Sequence, residues 1–564
     1  MLGLVLALTL SQGPVYEERL VSDALAGRER VDRPEGLVVE RIEVHAEEVF
    51  TPSDPYPGVL NVFHVRTKDH VVSREVLLEP GQPWDGARAL ETERNLRKLF
   101  FIAVARVLAV KGEHGGVVLV VATRDKWSLR LSNDFVLIGP ILQDLYLALT
   151  EANFLGLGQA LTVAMELTLD TLSVSETFVE RRLAGSRLYL GETAALYFNR
   201  QSKQLEGSSG ELAFGQPLIS LDQQWGFLSD TTWNVRPKRV YRGASVWQLP
   251  YPDASGTPTV PFVDDVTEVA STLSGTRRFG QRVKVDLTAT LGGYTRQYAP
   301  PPNTLTDEQR AWFIANWLPR SETATYVMAT ARAFSNDYTV VRNVDLFELS
   351  EDFQLGFQVF GGARWAVPLP FAPSNFVELG LSVRERFYRA DDLFTVTVAG
   401  GVRLRPGLTP ANEHLAAELS NSSPTVFGGR LVARVLVDLK ANDLDHRQVL
   451  LGGSEGLRGT FAEQFSGRNL VLSNVEFRAR PFEVLSSWVG LVWFWDAGSA
   501  FDTTLALTHT VGLGVRLLLP QLNREVIRVD FGFVFGGPTP GFDRLNASWG
   551  QVTDLRPTFL DAPL

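Results

Sequence analysis

The chain has 564 residues, with 54 Lys and Arg against 64 Asp and Glu, a net charge of −10. That length exceeds one ordinary soluble domain, and the acidic balance supplies no general basic field for nucleic acid. The absence of cysteine excludes a disulfide scaffold, a thiolate metal site and a cysteine nucleophile.

The N-terminus reads MLGLVLALTLSQGPVYEE. Leu2 to Leu10 is an apolar run of signal-peptide length, too short for a bilayer span of about 20 residues. A basic leading segment and a clear A-x-A site are missing. Residues 1–20 are read as a signal peptide, with a disordered apolar tail as the alternative. Residues 21–36 are charged, lack a clean period and read as a linker. From 37 to 125 the pattern is mixed. LVVERIEVHA alternates as a strand, and Pro80-Gly81 marks a turn. Asp85 is placed to cap a helix reaching Phe100, with Leu96, Leu99 and Phe100 on one face. FIAVARVLAV and GVVLVVATRD, joined at Gly115-Gly116, read as a hairpin. The order β-α-α-β-β fits a small α+β domain.

Residues 126–564 change character. Segments of about ten residues alternate apolar and polar between turn residues. In VKVDLTATL, Val283, Val285, Leu287, Ala289 and Leu291 oppose Lys284, Asp286, Thr288 and Thr290. In SNVEFRAR, Val475, Phe477 and Ala479 oppose Asn474, Glu476, Arg478 and Arg480; in VIRVDFGF, Ile527, Val529, Phe531 and Phe533 oppose Arg528 and Asp530. Period two puts these sets on opposite faces of a sheet. So much alternation, with almost no helical period, is too much for one sandwich. It predicts a mainly β chain: a transmembrane antiparallel β-barrel, apolar outside and wet inside, of sixteen strands once some of up to about nineteen segments merge or fall in loops. Aromatics near strand ends, Tyr189, Tyr197, Trp225, Trp233, Phe387, Tyr388, Trp493 and Trp495, suit interfacial girdles. Leu249 to Pro319 is Pro-rich and reads as a long rim insertion holding one helix, Asp307 to Trp317, after a Thr306 cap.

Two late motifs carry a resemblance. Leu457-Arg458-Gly459 lies in LLGGSEGLRGTF, and Phe494-Trp495-Asp496-Ala497-Gly498 lies in LVWFWDAGSAF. Their order and spacing resemble the BamA/TamA-type outer-membrane assembly factors (the bacterial surface antigen family), which carry V/L-R-G-F/Y on a loop folded back into the lumen and F-x-D-x-G on a wall strand. Thr460 departs from the family's aromatic, which is displaced to Phe461. Residues 37–125 look like a single POTRA domain, the family's periplasmic module, and "LTEANFLGLGQAL" is similar to its early strand-turn-strand.

Physical chemistry points to the same pair. A guanidinium at a loop tip inside a barrel needs a carboxylate. If Leu491, Trp493 and Trp495 face lipid, then Val492, Phe494 and Asp496 face the lumen. Arg458 and Asp496, with Gly459 and Gly498 beside them, are therefore expected to lock the loop to the wall, the planar guanidinium pairing bidentately. Gly452, Gly453 and Gly456 give the loop its tight bends. Gly452-Gly453-Ser454-Glu455-Gly456 also fits G-x-S-x-G, and Ser454, Asp496 and His509 occur in hydrolase order. A nucleophile elbow, however, needs strand-turn-helix, and no convincing helix follows Ser454. The seven His show no metal spacing, and no cofactor is expected.

The resemblance implies a non-enzymatic protein of the bacterial outer membrane with its POTRA domain in the periplasm. It would assist insertion or translocation of outer-membrane or secreted proteins, working with membrane lipid, unfolded clients and accessory periplasmic proteins, and not with nucleic acid. An exposed POTRA strand edge would pair with an extended client. A weak seam would lie between the first barrel strand, near Trp127, Leu129 and Leu131, and the last, near Leu545 and Gly550. A passive pore or surface-exposed binding protein is the alternative.

Overall fold

A computed structural model describes residues 16–52, 54, 57–138, 141–242, 245–252, 259–300, 305–444, 449–453, 456–460, 464–484, 487–523, 525–536 and 541–549. Of residues 63, 133–138, 141–144, 241–242 and 541–549 it describes the backbone only. The chain forms a small α+β unit and one large antiparallel sheet.

The small unit contains β1 (Val39–Glu47), α2 (Asp69–Ser73), α3 (Gly86–Arg97), β2 (Ile102–Lys111) and β3 (Val117–Asp125), preceded by α1 (Tyr16–Leu25). Its sheet order is β1-β3-β2, with β1 parallel and β2 antiparallel to β3. Helix α3 starts where the Asp85 carboxylate accepts the N–H groups of Ala87 at 2.9 Å and Arg88 at 3.1 Å, satisfying donors with no partner in the first turn. It stops at Arg97 rather than Phe100, because Phe101 and Ile102 enter the core as β2 begins. Val71, Val72, Leu96 and Phe101 cover one face of the sheet.

The other face is covered as well. Helix α1 crosses the boundary at residue 20 between the segments read as signal peptide and linker. Tyr16, Leu20 and Ala24, one turn apart, are buried on Val104, Leu108, Val118 and Val120. The same cluster takes in Leu346, Phe347, Trp488 and Leu518 from the large sheet and its loops, so α1 is wedged between the two units. Val21 and Leu25 pack beside them, half-buried; dividing the chain at residue 20 cut this helical stripe in two and hid it in the sequence. Residues 1–15 lie outside the described residues. Because both faces of the sheet are buried, β3 is a continuous apolar run rather than an alternating one.

The edge of β2 is occupied too. Glu29–Val31 lies antiparallel beside it, with Val31 N–H donating to the Ala109 carbonyl at 2.9 Å and Lys111 N–H to the Glu29 carbonyl at 3.1 Å. The expected linker is thus partly helix and partly an edge strand.

In the large sheet every strand pairs with its neighbour in the chain, and the strands that position the site are β4 (Leu129–Ile138), β5 (Glu351–Val367), β6 (Asn469–Ala479), β7 (Ser487–Phe501), β8 (Thr508–Leu518), β9 (Ile527–Phe535) and β10 (Gly541–Trp549). Twenty-two strand segments form the sheet among the described residues, and two of them, Asp337–Val341 and Phe482–Val484, continue a preceding strand. That gives twenty strands, against the sixteen expected. Part of the difference lies in the stretch read as a rim insertion, 249–319. It carries two 17-residue strands, Val263–Phe279 and Val283–Ala299; the second contains the alternating VKVDLTATL, whereas threonines and serines blur the alternation of the first. The other described residues of that stretch fold with Trp247 as a compact cap: α4 (Asp307–Asn316), with a Thr306–Gln309 capping box, packs Phe313 on Leu249, Val260 and Trp247. The strand order brings β10 next to β4.

Polarity across this sheet is inverted relative to a soluble protein. Lys284, Asp286, Glu476, Arg478, Arg528 and Asp530 are buried on its inner face. Leu131 at 73% exposure and Leu291 at 62% typify the outer face, with Val163, Leu273, Leu381, Leu513 and Phe531 also exposed. So large an apolar surface does not stay in water. No helix among the described residues is long and apolar enough to cross a membrane; strands can cross as a barrel. The girdle reading holds unevenly: Trp225, Phe387, Trp493 and Trp495 are exposed, whereas Tyr197 turns inward, its hydroxyl 2.8 Å from Ser209 and its ring under Arg236.

Leu291→Arg discriminates between lipid and water on the outer face. In lipid it is expected to destabilise the fold by about 2–4 kcal/mol, against about 0.5 kcal/mol or less for a water-exposed site. Denaturant titration in phospholipid vesicles measures the difference.

Candidate functional site: a buried arginine in a folded-back loop

The loop between the strand Gly429–Ala441 and β6 turns back onto the inner face of the sheet. Val449–Leu451 and Phe465–Gly467 pair as a short ladder, and Leu451 and Leu457 pack on Leu470 and Leu472 of β6. Gly452, Gly453, Gly456 and Gly459 have φ of +142°, +59°, +99° and +83°, conformations that residues with a Cβ rarely adopt. Thr460 ties the bend from within: its hydroxyl accepts the Gly453 N–H at 3.0 Å and donates to the Leu457 carbonyl at 2.7 Å. The hydroxyl thus has a structural use at the position where an aromatic was expected. Ser454, Glu455 and Phe461 lie outside the described residues.

Arg458, at the tip, has no solvent exposure. Its Nε and Nη2 donate to the two carboxylate oxygens of Asp496 at 2.8 and 2.7 Å, its backbone N–H reaches the same carboxylate at 3.2 Å, and Nη1 donates to Glu476 at 2.5 Å. The guanidinium carbon lies 3.6 Å from the centre of the Phe494 ring. Asn474 bridges by donating to Asp496 at 2.8 Å and to the Gly456 carbonyl at 2.6 Å. The alternation of β7 is what aims Asp496: Leu491, Trp493 and Trp495 are exposed on the outer face while Val492, Phe494 and Asp496 are buried.

The tip also meets the wall backbone to backbone. A Cβ at Gly459 would lie 2.8 Å from Gly532 Cα on β9, and one at Gly532 would lie 2.5 Å from Gly459 Cα. Neither position tolerates a side chain without displacement. Gly532 is also where the β9–β10 ladder slips by a residue, so the tip rests one strand away from β10. Gly498 gives room on β7, since a Cβ there would lie 3.0 Å from Leu451.

Around Arg458 the charges form a connected set. Arg478 donates to Glu476 at 2.8 Å and to Asp345 at 3.1 Å, and Arg516 donates to Asp530 at 2.7 Å. Arg516 and Arg528 are direct cross-strand neighbours, a like-charge pairing that is unfavourable unless anions such as Asp530 lie between. Several kcal/mol per ion are lost on leaving water, so the cluster is stable only because almost every charge has an opposite partner.

Sequence reasoning named Arg458, Gly459, Asp496 and Gly498, and the structure brings these four together. It missed Asn474, Glu476, Arg478, Arg516, Asp530 and Gly532 as members of the site. Alternation already put Asn474, Glu476, Arg478 and Asp530 on the polar face; their meeting at one arginine depends on strand register, which alternation does not give. Asp496 faces inward while the His509 ring stacks between Trp495 and Phe535 at 5.9 and 5.8 Å on the outer face, so these two do not assemble as acid and base.

At the seam, Leu129 and Leu131 belong to β4 and Leu545 to β10; Gly550 lies outside the described residues. Trp127 is not in the strand. Its N–H donates to the Gln521 carbonyl at 2.6 Å and its ring meets Phe50, so it belongs to the junction with the small unit. There Asp125 accepts the Thr67 N–H and hydroxyl at 2.7 and 2.8 Å, and Arg97 clasps Asp352 of β5 at 2.8 and 2.7 Å.

No protein-family model and no curated protein sequence matches the chain. Solved structures similar to it include CdiB from Escherichia coli, with 11% identity over 94% of this chain and 82% of that one and a TM-score of 0.44. CdiB from Acinetobacter baumannii has 9% identity over 90% and 73%, with a TM-score of 0.37. BamA from Haemophilus ducreyi lacking POTRA domains 1–3 has 11% identity over 90% and 83%, with a TM-score of 0.31. At such identities and scores these are similarities only, and the function has to be read from the chain's own residues.

Arg458→Ala leaves Asp496 and Glu476 without their shared cation. It is expected to cost about 3–5 kcal/mol, seen as a lower unfolding midpoint in detergent micelles and faster protease cleavage within 449–467. Gly459→Ala is expected to loosen the same loop with the charges intact, through the clash at Gly532.

Proposed function

We propose that this chain is an outer-membrane β-barrel with one periplasmic POTRA domain, residues 37–125, that assists insertion or translocation of other proteins. Its barrel is residues 126–564, closed at a weak seam between β4 and β10. The observation that carries this reading is the folded-back loop: a buried arginine is clasped to the inner wall, and its tip rests on Gly532, beside the strand that forms one side of the seam. A passive pore has no need of a lock against its last strands. An adjustable seam does, because movement of β9 and β10 changes whether the edges of β4 and β10 are free to template an incoming strand.

In this mechanism Arg458, Asp496 and Glu476 hold the wall in one register, and the glycines at 452, 453, 456 and 459 allow the loop to fold into the lumen. Outer-membrane lipid surrounds the apolar face. An extended client adds to strand edges of the small unit and of the open seam by backbone hydrogen bonds, with no cofactor and no covalent step.

The second reading is a surface-exposed binding protein. The cap favours it, because Trp247, Phe262, Trp312, Phe313 and Trp317 form their own aromatic core, more structure than a passive loop needs.

The chain's lack of cysteine makes the test clean. Pairs of cysteines scanned across Leu129–Ile138 and Gly541–Trp549 tie the seam when oxidised. Client assembly is expected to stop in the oxidised protein and return on reduction. Undiminished assembly with a fully formed disulfide excludes the seam mechanism, and loss of surface binding on deleting the cap, with the outer-membrane proteome unchanged, favours the second reading.

A further inference from the structure

The small sheet has two edge strands, β1 and β2, to which an extended client could add, and the chain itself fills the edge of β2. Arg30 faces Val110 in an antiparallel bridge, flanked by the Val31–Ala109 and Lys111–Glu29 hydrogen bonds at 2.9 and 3.1 Å. Further along the same edge the backbone is capped by side chains of α3. Glu93 accepts the Val107 N–H at 2.8 Å and Arg97 donates to the Ala105 carbonyl at 3.2 Å. A strand edge with its donors and acceptors already satisfied offers little to an incoming strand. Its present occupant also shows what the edge accepts: a short, extended, antiparallel segment.

The occupant is tethered to α1, and α1 is tied to the lumen. Glu17 accepts the N–H and hydroxyl of Ser350 at 2.8 and 2.7 Å, and Arg342 donates to it at 3.0 Å. These belong to the loop 342–350 that leads into β5. Glu351, the first residue of β5, fixes that loop's bend by accepting the N–H groups of Val344 and Asp345 at 2.9 and 3.0 Å. The bend presents the Val344 carbonyl and the Asp345 carboxylate to Arg478 at 2.6 and 3.1 Å, and Arg478 holds Glu476, the second anion of Arg458. An unbroken series of buried polar contacts thus runs from the N-terminal helix to the loop tip, and each group in it is costly to strand.

We propose that residues 16–31 form a releasable strap: Glu29–Val31 is a placeholder on the client-binding edge, and its displacement by an extended polypeptide frees α1 and loosens the Arg458 lock. Capture of a client strand on the small unit is thereby coupled to freedom of β9 and β10 at the seam. This rests on the strand-capture reading above, but its first step is a property of the protein alone.

Amide hydrogen exchange of the full chain in lipid nanodiscs tests it without any client. Glu17→Gln combined with Leu20→Ala weakens docking of α1; Glu17→Gln alone serves if the double variant loses the heat-modifiable mobility of a folded barrel. The expected result is exchange at least tenfold faster at Lys111 and at residues 456–460 than in the unaltered protein. Adding Arg30→Cys with Val110→Cys and oxidising the pair is expected to restore slow exchange at Lys111. Faster exchange at Lys111 with residues 456–460 unchanged overturns the coupling. Unchanged exchange at Lys111 overturns the strap. Failure of the seam disulfide to affect assembly, with the exchange results as expected, would count against the proposed function and leave the strap standing.

Discussion

A guanidinium with no solvent exposure in the interior of a sheet sets the terms for everything around it. Arg458 is stable there because Asp496 and Glu476 take its hydrogen bonds and the Phe494 ring covers its face. Each of those anions is itself buried and needs further cations or amides, which is why Asn474 and Arg478 follow. One buried charge has recruited a network, and the network binds a loop, the four wall strands β6 to β9 and a loop at the other end of the sheet into one unit. Low surrounding dielectric makes each link strong and each missing link expensive.

The network is possible because the sheet is inside out. With apolar residues facing outward, the inner face is the only place for charged side chains, and their density there is high enough that ion pairs form across neighbouring strands. The outer face needs no specific pairing, since hydrocarbon contacts are non-directional. The two faces therefore differ in kind: one sets where the sheet sits, the other sets how its loops and strands are held.

The junction between the two units is more than a tether. Arg97 spans from α3 to β5, Asn153 of the large sheet donates to the Thr67 hydroxyl at 2.8 Å, and α1 fills the gap with apolar side chains. A contact surface built from buried ion pairs and a packed helix transmits displacement in a way that a flexible linker does not.

Much of this was legible in the sequence. Period-two alternation set the apolar and charged faces of the strands, and the step from Leu491 to Asp496 fixed which way the carboxylate points, because side-chain direction along a strand is a local property. The Asp85 and Thr306 caps were local too. Other features depended on distance through space. The strand total was not readable, since strands rich in threonine and serine carry weak alternation and look like loops. The helix at 16–25 was hidden because its apolar stripe straddles the boundary drawn at residue 20, and the core it meets belongs to two other parts of the chain. Strand register brought Asn474, Glu476, Arg478 and Gly532 to the tip of the loop, and the occupation of the β2 edge by Glu29–Val31 followed from where α1 packs. Sequence sets what each residue can face; only the folded chain decides what it meets there.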